Sequence, residues 1–123
     1  MTDPQRLKRR EEFARVARQG QAQSNHLLLL RAVPNQLNTS RFGYAISKQV
    51  GTAVVRNLVR RRIREVVRQM RVKSGWDMVI IPRKASAGAS FVALKASLES
   101  LTRRAGLLET QAPSDSQGTK GGP

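Results

Sequence analysis

Residues 54–71, Val-Val-Arg-Asn-Leu-Val-Arg-Arg-Arg-Ile-Arg-Glu-Val-Val-Arg-Gln-Met-Arg, constrain this chain more than any other stretch. At roughly 100° per residue the run resolves into distinct faces of one helix. Val55, Val59, Ile63, Val66, Val67 and Met70 fall within an arc of roughly 120°, a stripe that faces a core. Asn57, Arg60, Arg61, Arg64, Arg68 and Arg71 fill the adjacent arc, with Arg56 at its boundary on the first turn. Arg62 and Glu65 occupy the remaining side. Thr52, after Gly51, is placed as the N-cap, because its hydroxyl can accept from a free first-turn amide. Guanidinium groups three and four residues apart repel one another, so an isolated helix gains nothing from this arrangement. The face makes sense opposite a polyanion, and RNA or DNA backbone is the natural one.

That polyanion comes from outside the chain. Lys and Arg number 23 against 8 Asp and Glu in 123 residues, a net charge of +15. Glu65 is the only acid in the helical segment. The charge favours a nucleic acid or an anionic surface. No apolar run approaches the ~20 residues that span a bilayer, so no membrane partner is expected. The first residues lack the apolar core of a secretory signal, which suits a cytoplasmic protein. With no Cys, disulfides, thiolate zinc sites and a Cys nucleophile are excluded.

The same inventory argues against catalysis by the polypeptide itself. A protein nuclease needs His acid–base groups or a carboxylate cluster that holds metal ions. His26 has no second His, and of the acids only Glu11 and Glu12 are neighbours in sequence. Adjacent helical residues diverge by about 100°, so even that pair does not converge.

Taken in order, residues 1–7 read as a polar arm that frays. Lys8 to Gln19 reads as a helix stopped by Gly20, with Phe13, Val16 and Ala17 on one face. Gln21 to Asn25 reads as a loop, and His26 to Val33 as a strand. Arg41 to Ser47 reads as another strand with Phe42, Tyr44 and Ile46 on one face and Arg41, Gly43, Ala45 and Ser47 on the other. The paired aromatics suit either core packing or presentation to RNA bases. His26, at the start of its strand, suits a structural role or an RNA contact. After the basic helix come a buried strand from Asp77 to Ile81, closed by Pro82, and a helix capped by Ser90 and stopped by Gly106. Arg83 and Lys84 between them either touch RNA or keep the strand end soluble. Residues 111–123 hold no aliphatic side chain larger than Ala and read as a disordered tail behind one domain, 1–110. The expected fold is an α+β sandwich, a sheet of about four strands packed with helices in the order α-β-β-β-α-β-α.

Ser47-Lys48, Gly51, Ala53-Val54, Arg56-Asn57, Arg60-Arg61 and Arg64 also resemble a signature segment. The bacterial ribonuclease P protein component usually carries Ser-Lys-Lys-x-Gly-Asn-Ala-Val-x-Arg-Asn-Arg-x-Lys-Arg-x-x-Arg there. Gln49, Thr52, Leu58 and Arg60 depart from it, the last with its charge kept. The resemblance extends over residues 5–108, from Arg6-Leu7-Lys8-Arg9 through Phe13 and Gly20 to Asp77–Ile81 and the last helix. It implies a left-handed crossover between strands, where a parallel strand-helix-strand unit is otherwise almost always right-handed. It implies a subunit that assists a catalytic RNA in cutting the 5′ leader from precursor tRNA, with magnesium held by that RNA. Lys48, Arg56, Asn57, Arg60, Arg61, Arg64 and Arg68 would then bind the ribonuclease P RNA. A groove bordered by the first helix, with Phe13, Ala17, Leu30 and Arg41, would hold the leader. Phe13 suits either a core anchor or a stacking platform for a base, and Ala17 stands where the family often has a second aromatic. A structural RNA-binding protein of ribosomal type, or a nucleoid protein that binds duplex DNA as well, are the competing readings.

Overall fold

Three hydrophobic strands, each with alternating faces, set the architecture. In the computed structural model, which describes residues 5–109, the elements are β1 (Gln5–Arg6), α1 (Arg10–Gln19), β2 (Gln21–Ser24), β3 (Leu28–Pro34), β4 (Arg41–Tyr44), α2 (Ala53–Gln69), β5 (Trp76–Pro82) and α3 (Phe91–Arg104). They form one five-stranded sheet in the order β1-β4-β5-β3-β2. β4 runs parallel to β1 and β5, whereas β3 runs antiparallel to β2 and β5. The expected tail, 111–123, lies outside the described residues.

The α+β class and the three long helices are as the sequence implies, but the sheet has five strands, not about four, and it begins with a strand. Residues 5–6 do not fray: they pair with Arg41 and Phe42, and Leu7 N donates to Phe42 O at 2.9 Å. Residues 21–24 are no loop but an edge strand on β3. Gln-Ala-Gln-Ser carries no apolar alternation, because an edge strand exposed on its outer side needs only backbone partners. Asn25 ends it by folding back, its Oδ1 accepting from Leu27 N, Leu28 N and Ser97 Oγ.

Period-two alternation divides the core in two. Leu28, Leu30 and Ala32 of β3, Phe42 of β4, and Met78 and Ile80 of β5 point to one side, where they meet Val59, Ile63, Val66 and Val67 of α2 and Leu94, Leu98 and Leu101 of α3. Val33 and Val79 point to the other, beneath Leu7, Phe13 and Val16. Packing is therefore the role of Phe42, which is buried with Tyr44 beside it.

The hand of the β4-α2-β5 crossover follows from the same atoms. Phe42 directs its carbonyl toward β1 and its side chain toward the α2 layer. When an L-residue on an upward-running strand points its side chain at the observer, its carbonyl and amide point right. β1 thus lies to the right of β4 and β5 to the left, with α2 in front. A path that rises in β4, returns in front and moves left is a left-handed turn, the rare hand for a parallel connection.

The second layer closes over a buried acid. Asp77 is fully buried; Arg41 donates to it from Nε at 2.9 Å and Nη2 at 2.8 Å, and Asn35 Nδ2 donates at 2.9 Å. Arg41 Nη1 then donates to Glu12 Oε2 at 3.0 Å, and Glu12 Oε1 accepts from Lys8 N and Arg9 N at the start of α1. Arg15 Nη1 stands 3.6 Å from Asp77, and its Nη2 donates to Pro34 O. Backbone amides of Arg9 and Lys8 hold the Glu12 carboxyl below its ordinary range, helped by Arg41. Burial alone would raise Asp77, but the hydrogen bonds from Arg41 and Asn35 outweigh it and the net direction is down.

Removing one partner of such a pair strands the other charge. Asp77→Ala should lower unfolding stability in urea by about 3–5 kcal/mol. Both carboxyls lie lower folded than unfolded, so their stabilisation is full above ordinary carboxylate values, about pH 4. It should be lost as pH falls further through the depressed values, and in an acid titration Asp77→Asn should lose less than the parent over that window.

Candidate nucleic-acid interface

α2 starts where the sequence places it. Ser47 Oγ accepts from Gln49 N in the short 3-10 turn Lys48–Val50, and Gly51 follows with φ 155°, a region open to glycine. Thr52 Oγ1 then accepts from Val55 N at 3.3 Å, capping the helix. Val59, Ile63, Val66 and Val67 are buried, and Val55 and Met70 pack against the same core as partly buried neighbours. The apolar stripe is thus as drawn from the periodicity.

The remaining faces sort the arginines by partner. Val54, Asn57, Arg60, Arg61 and Arg64 line one shallow concavity of about 430 Å³. Within it Arg60 Nη1 donates to Asn57 Oδ1 at 3.0 Å. Among the described residues Arg60, Arg61 and Arg64 have no carboxylate partner. Arg68 is on the same side but pairs with Glu65 Oε1 at 3.1 Å. Arg56 is turned back, its Nε donating to Gly51 O at 3.2 Å. Arg62 leaves the face altogether and donates to Ala89 O at 2.8 Å, fastening α2 to the segment before α3. Arg71 lies beyond the last residue of the helix. Lys48 is exposed in the turn that precedes it.

The four residues expected to form a groove beside α1 do not all lie on that side of the sheet. Phe13 is partly buried, with its ring against Gly43, and Ala17 is exposed on the same helix. Leu30 is a correction: it is 1% exposed in the opposite layer, under α2 and α3, and lines no groove. The partly exposed residues of that strand on the α1 side are Leu29 and Arg31. The signal was available, since alternation puts neighbours of a buried strand residue on the other face. Arg41 lies on the α1 side, where its three donor nitrogens are engaged by Asp77 and Glu12 and brace α1.

A further cluster was only partly anticipated. His26, Gln49, Arg83, Lys84 and Ala85 line a concavity of about 370 Å³ where β5 ends and the chain approaches β3. Strand ends converge there, so residues far apart in sequence share one basic rim. Among the described residues no three His, Asp or Glu gather as a metal site would require, and no helix is long and apolar enough to cross a membrane.

Comparison with known proteins places this geometry among relatives. A family model described as ribonuclease P matches residues 1–106. The ribonuclease P protein component of Clostridium kluyveri is 42% identical over 109 residues, 85% of this chain and 97% of that protein. That of Roseiflexus castenholzii is 42% identical over 107 residues, 85% and 88% of the two chains. The solved RNase P protein of Staphylococcus aureus superposes with a TM-score of 0.77 at 26% identity, over 85% of this chain and 97% of that one. The RNase P protein from Thermotoga maritima gives 0.75 at 27%, over 81% and 96%.

The partners of these arginines separate their roles by measurement. Arg61→Ala and Arg64→Ala should each flatten the slope of log affinity against log salt, for a structured RNA, by a little under one unit while leaving the melting temperature unchanged. Arg62→Ala should leave that slope intact and lower the melting temperature instead. Equal slopes for all three variants would contradict the assignment.

Proposed function

The chain belongs to the ribonuclease P protein family, and from that membership we propose how its surfaces divide the work. It is the protein subunit of ribonuclease P, part of a ribonucleoprotein endoribonuclease that removes the 5′ leader from tRNA. In this reading α2 binds the RNA subunit, and the groove beside α1 receives the leader of precursor tRNA in the cytoplasm.

The observation that carries the reading is the arginine face of α2. Arg60, Arg61 and Arg64 surround one concavity with no acid from the described residues against them, in a chain of net charge +15. A structured RNA supplies the missing phosphates, and each guanidinium can hold one in a bidentate pair. Asn57, between Val54 and Arg60, adds a hydrogen-bonding amide on the same rim. The leader groove lies across the sheet from this face, so two RNA segments can be held at once. Phe13 would supply an aromatic ring there, and single-stranded RNA suits such a platform because every base has a π-face.

The chemistry itself belongs to the RNA in this proposal. Phosphodiester hydrolysis would proceed with magnesium held by the RNA subunit, while the protein binds and orients. The described residues offer neither a paired His nor a carboxylate group fit to hold the ion. Glu12 and Asp77 are both engaged by Arg41.

Reconstitution tests the proposal. Mixed with ribonuclease P RNA at low magnesium, the protein should raise precursor-tRNA cleavage well above that of the RNA alone, and without the RNA it should cleave nothing. Cleavage by RNA-free protein, abolished by a point mutation in it, would overturn the division of labour. Tight RNA binding with no stimulation of cleavage would favour a purely structural RNA-binding protein.

A further inference from the structure

We infer that Gly43 is the positioning residue for the Phe13 platform: its missing side chain is the seat on which the ring rests. The inference rests on the leader-binding role proposed above for Phe13. Gly43 is buried in the middle of β4, where a glycine weakens a strand, and its backbone has none of the positive φ that would explain one. Space explains it. A Cβ at this position would lie 2.5 Å from Phe13 Cε1, 2.6 Å from Cζ and 3.1 Å from Leu7 Cδ1.

The ring has no other place to go without losing that seat. α1 is held on one side of Phe13 by the Glu12–Arg41 ion pair at 3.0 Å and on the other by Val16, which is fully buried. A side chain at 43 therefore leaves the helix where it is and lifts the ring, by roughly 1 Å to reach ordinary carbon contact. Leu7 closes the third side, carried there by β1 through the bond from its amide to Phe42 O at 2.9 Å. The platform is thus assembled from β1, β4 and α1. Its height matters more because Ala17, one turn on, supplies no second ring. A base stacks only on a face presented at the right level, so Gly43 acts on leader affinity through Phe13 and touches no RNA.

The test measures affinity of the reconstituted holoenzyme for precursor tRNA with its leader and for mature tRNA without it, in four proteins. Phe13→Ala should weaken leader-bearing tRNA by roughly 5-fold or more and leave mature tRNA unchanged. Gly43→Ala should weaken it roughly 3- to 10-fold with the same selectivity. The Phe13→Ala/Gly43→Ala pair should be no worse than Phe13→Ala alone, because the clash has lost its partner. Additive losses, equal losses for both tRNAs, or a normal Gly43→Ala protein would each overturn the inference. If Gly43→Ala alone does not fold, the pair must regain the fold, and its failure to do so counts against the inference too. A Phe13→Ala protein with undiminished leader affinity would instead refute the reading of Phe13 itself.

Discussion

The buried carboxylate of Asp77 is the point on which the α1 layer depends. A lone charge inside a protein is strongly unfavourable, so its surroundings are organised to satisfy it. Arg41 reaches it from the adjacent strand with two nitrogens, Asn35 from the loop after β3, and Arg15 from the helix above. Because Arg41 also holds Glu12, the acid in the sheet fixes the helix that lies over it. The consequence is directional as well as energetic: a bidentate guanidinium admits few geometries, so α1 has one register on the sheet. Phe13 inherits that register.

The opposite layer works by a different balance. α2 carries several like charges that oppose one another along its length, and no array of acids relieves them. What keeps it helical is the burial of Val59, Ile63, Val66 and Val67 against the sheet, each worth roughly 1.5 kcal/mol or more, together with the Thr52 cap. In the proposed reading, phosphates of the RNA subunit would relieve that repulsion on binding. Arg62 shows the same side chain put to the other use, bonded to a backbone carbonyl of the neighbouring segment and withdrawn from that face.

The sheet lies between the two layers. One strand residue, Phe42, sits in the α2 core while its successor, Gly43, receives the α1 ring. Alternation along β4 therefore turns one residue to the α2 layer and the next to the α1 layer, the two sides proposed to bind the RNA subunit and the leader.

Much of this was legible in the sequence, and the limits have physical causes. The α2 stripe, its arginine arc, the Thr52 and Ser90 caps and the buried β5 all follow from periodicity and capping chemistry, which are local properties. The ribonuclease P family was legible too, in the motif from Ser47 to Arg64. The edge strands β1 and β2 were not, because they are made by backbone bonds to partners distant in sequence and need no apolar pattern of their own. The family resemblance put Leu30 in the leader groove, whereas strand parity turns it to the other layer. Asp77 read as one scattered acid, since its partners Asn35, Arg41 and Arg15 come together only when β3, β4, β5 and α1 do. The left hand of the crossover belongs to that same class. Periodicity says which residues face a helix, but only the placement of β1 and β5 on either side of β4 says which way the chain turned to get there.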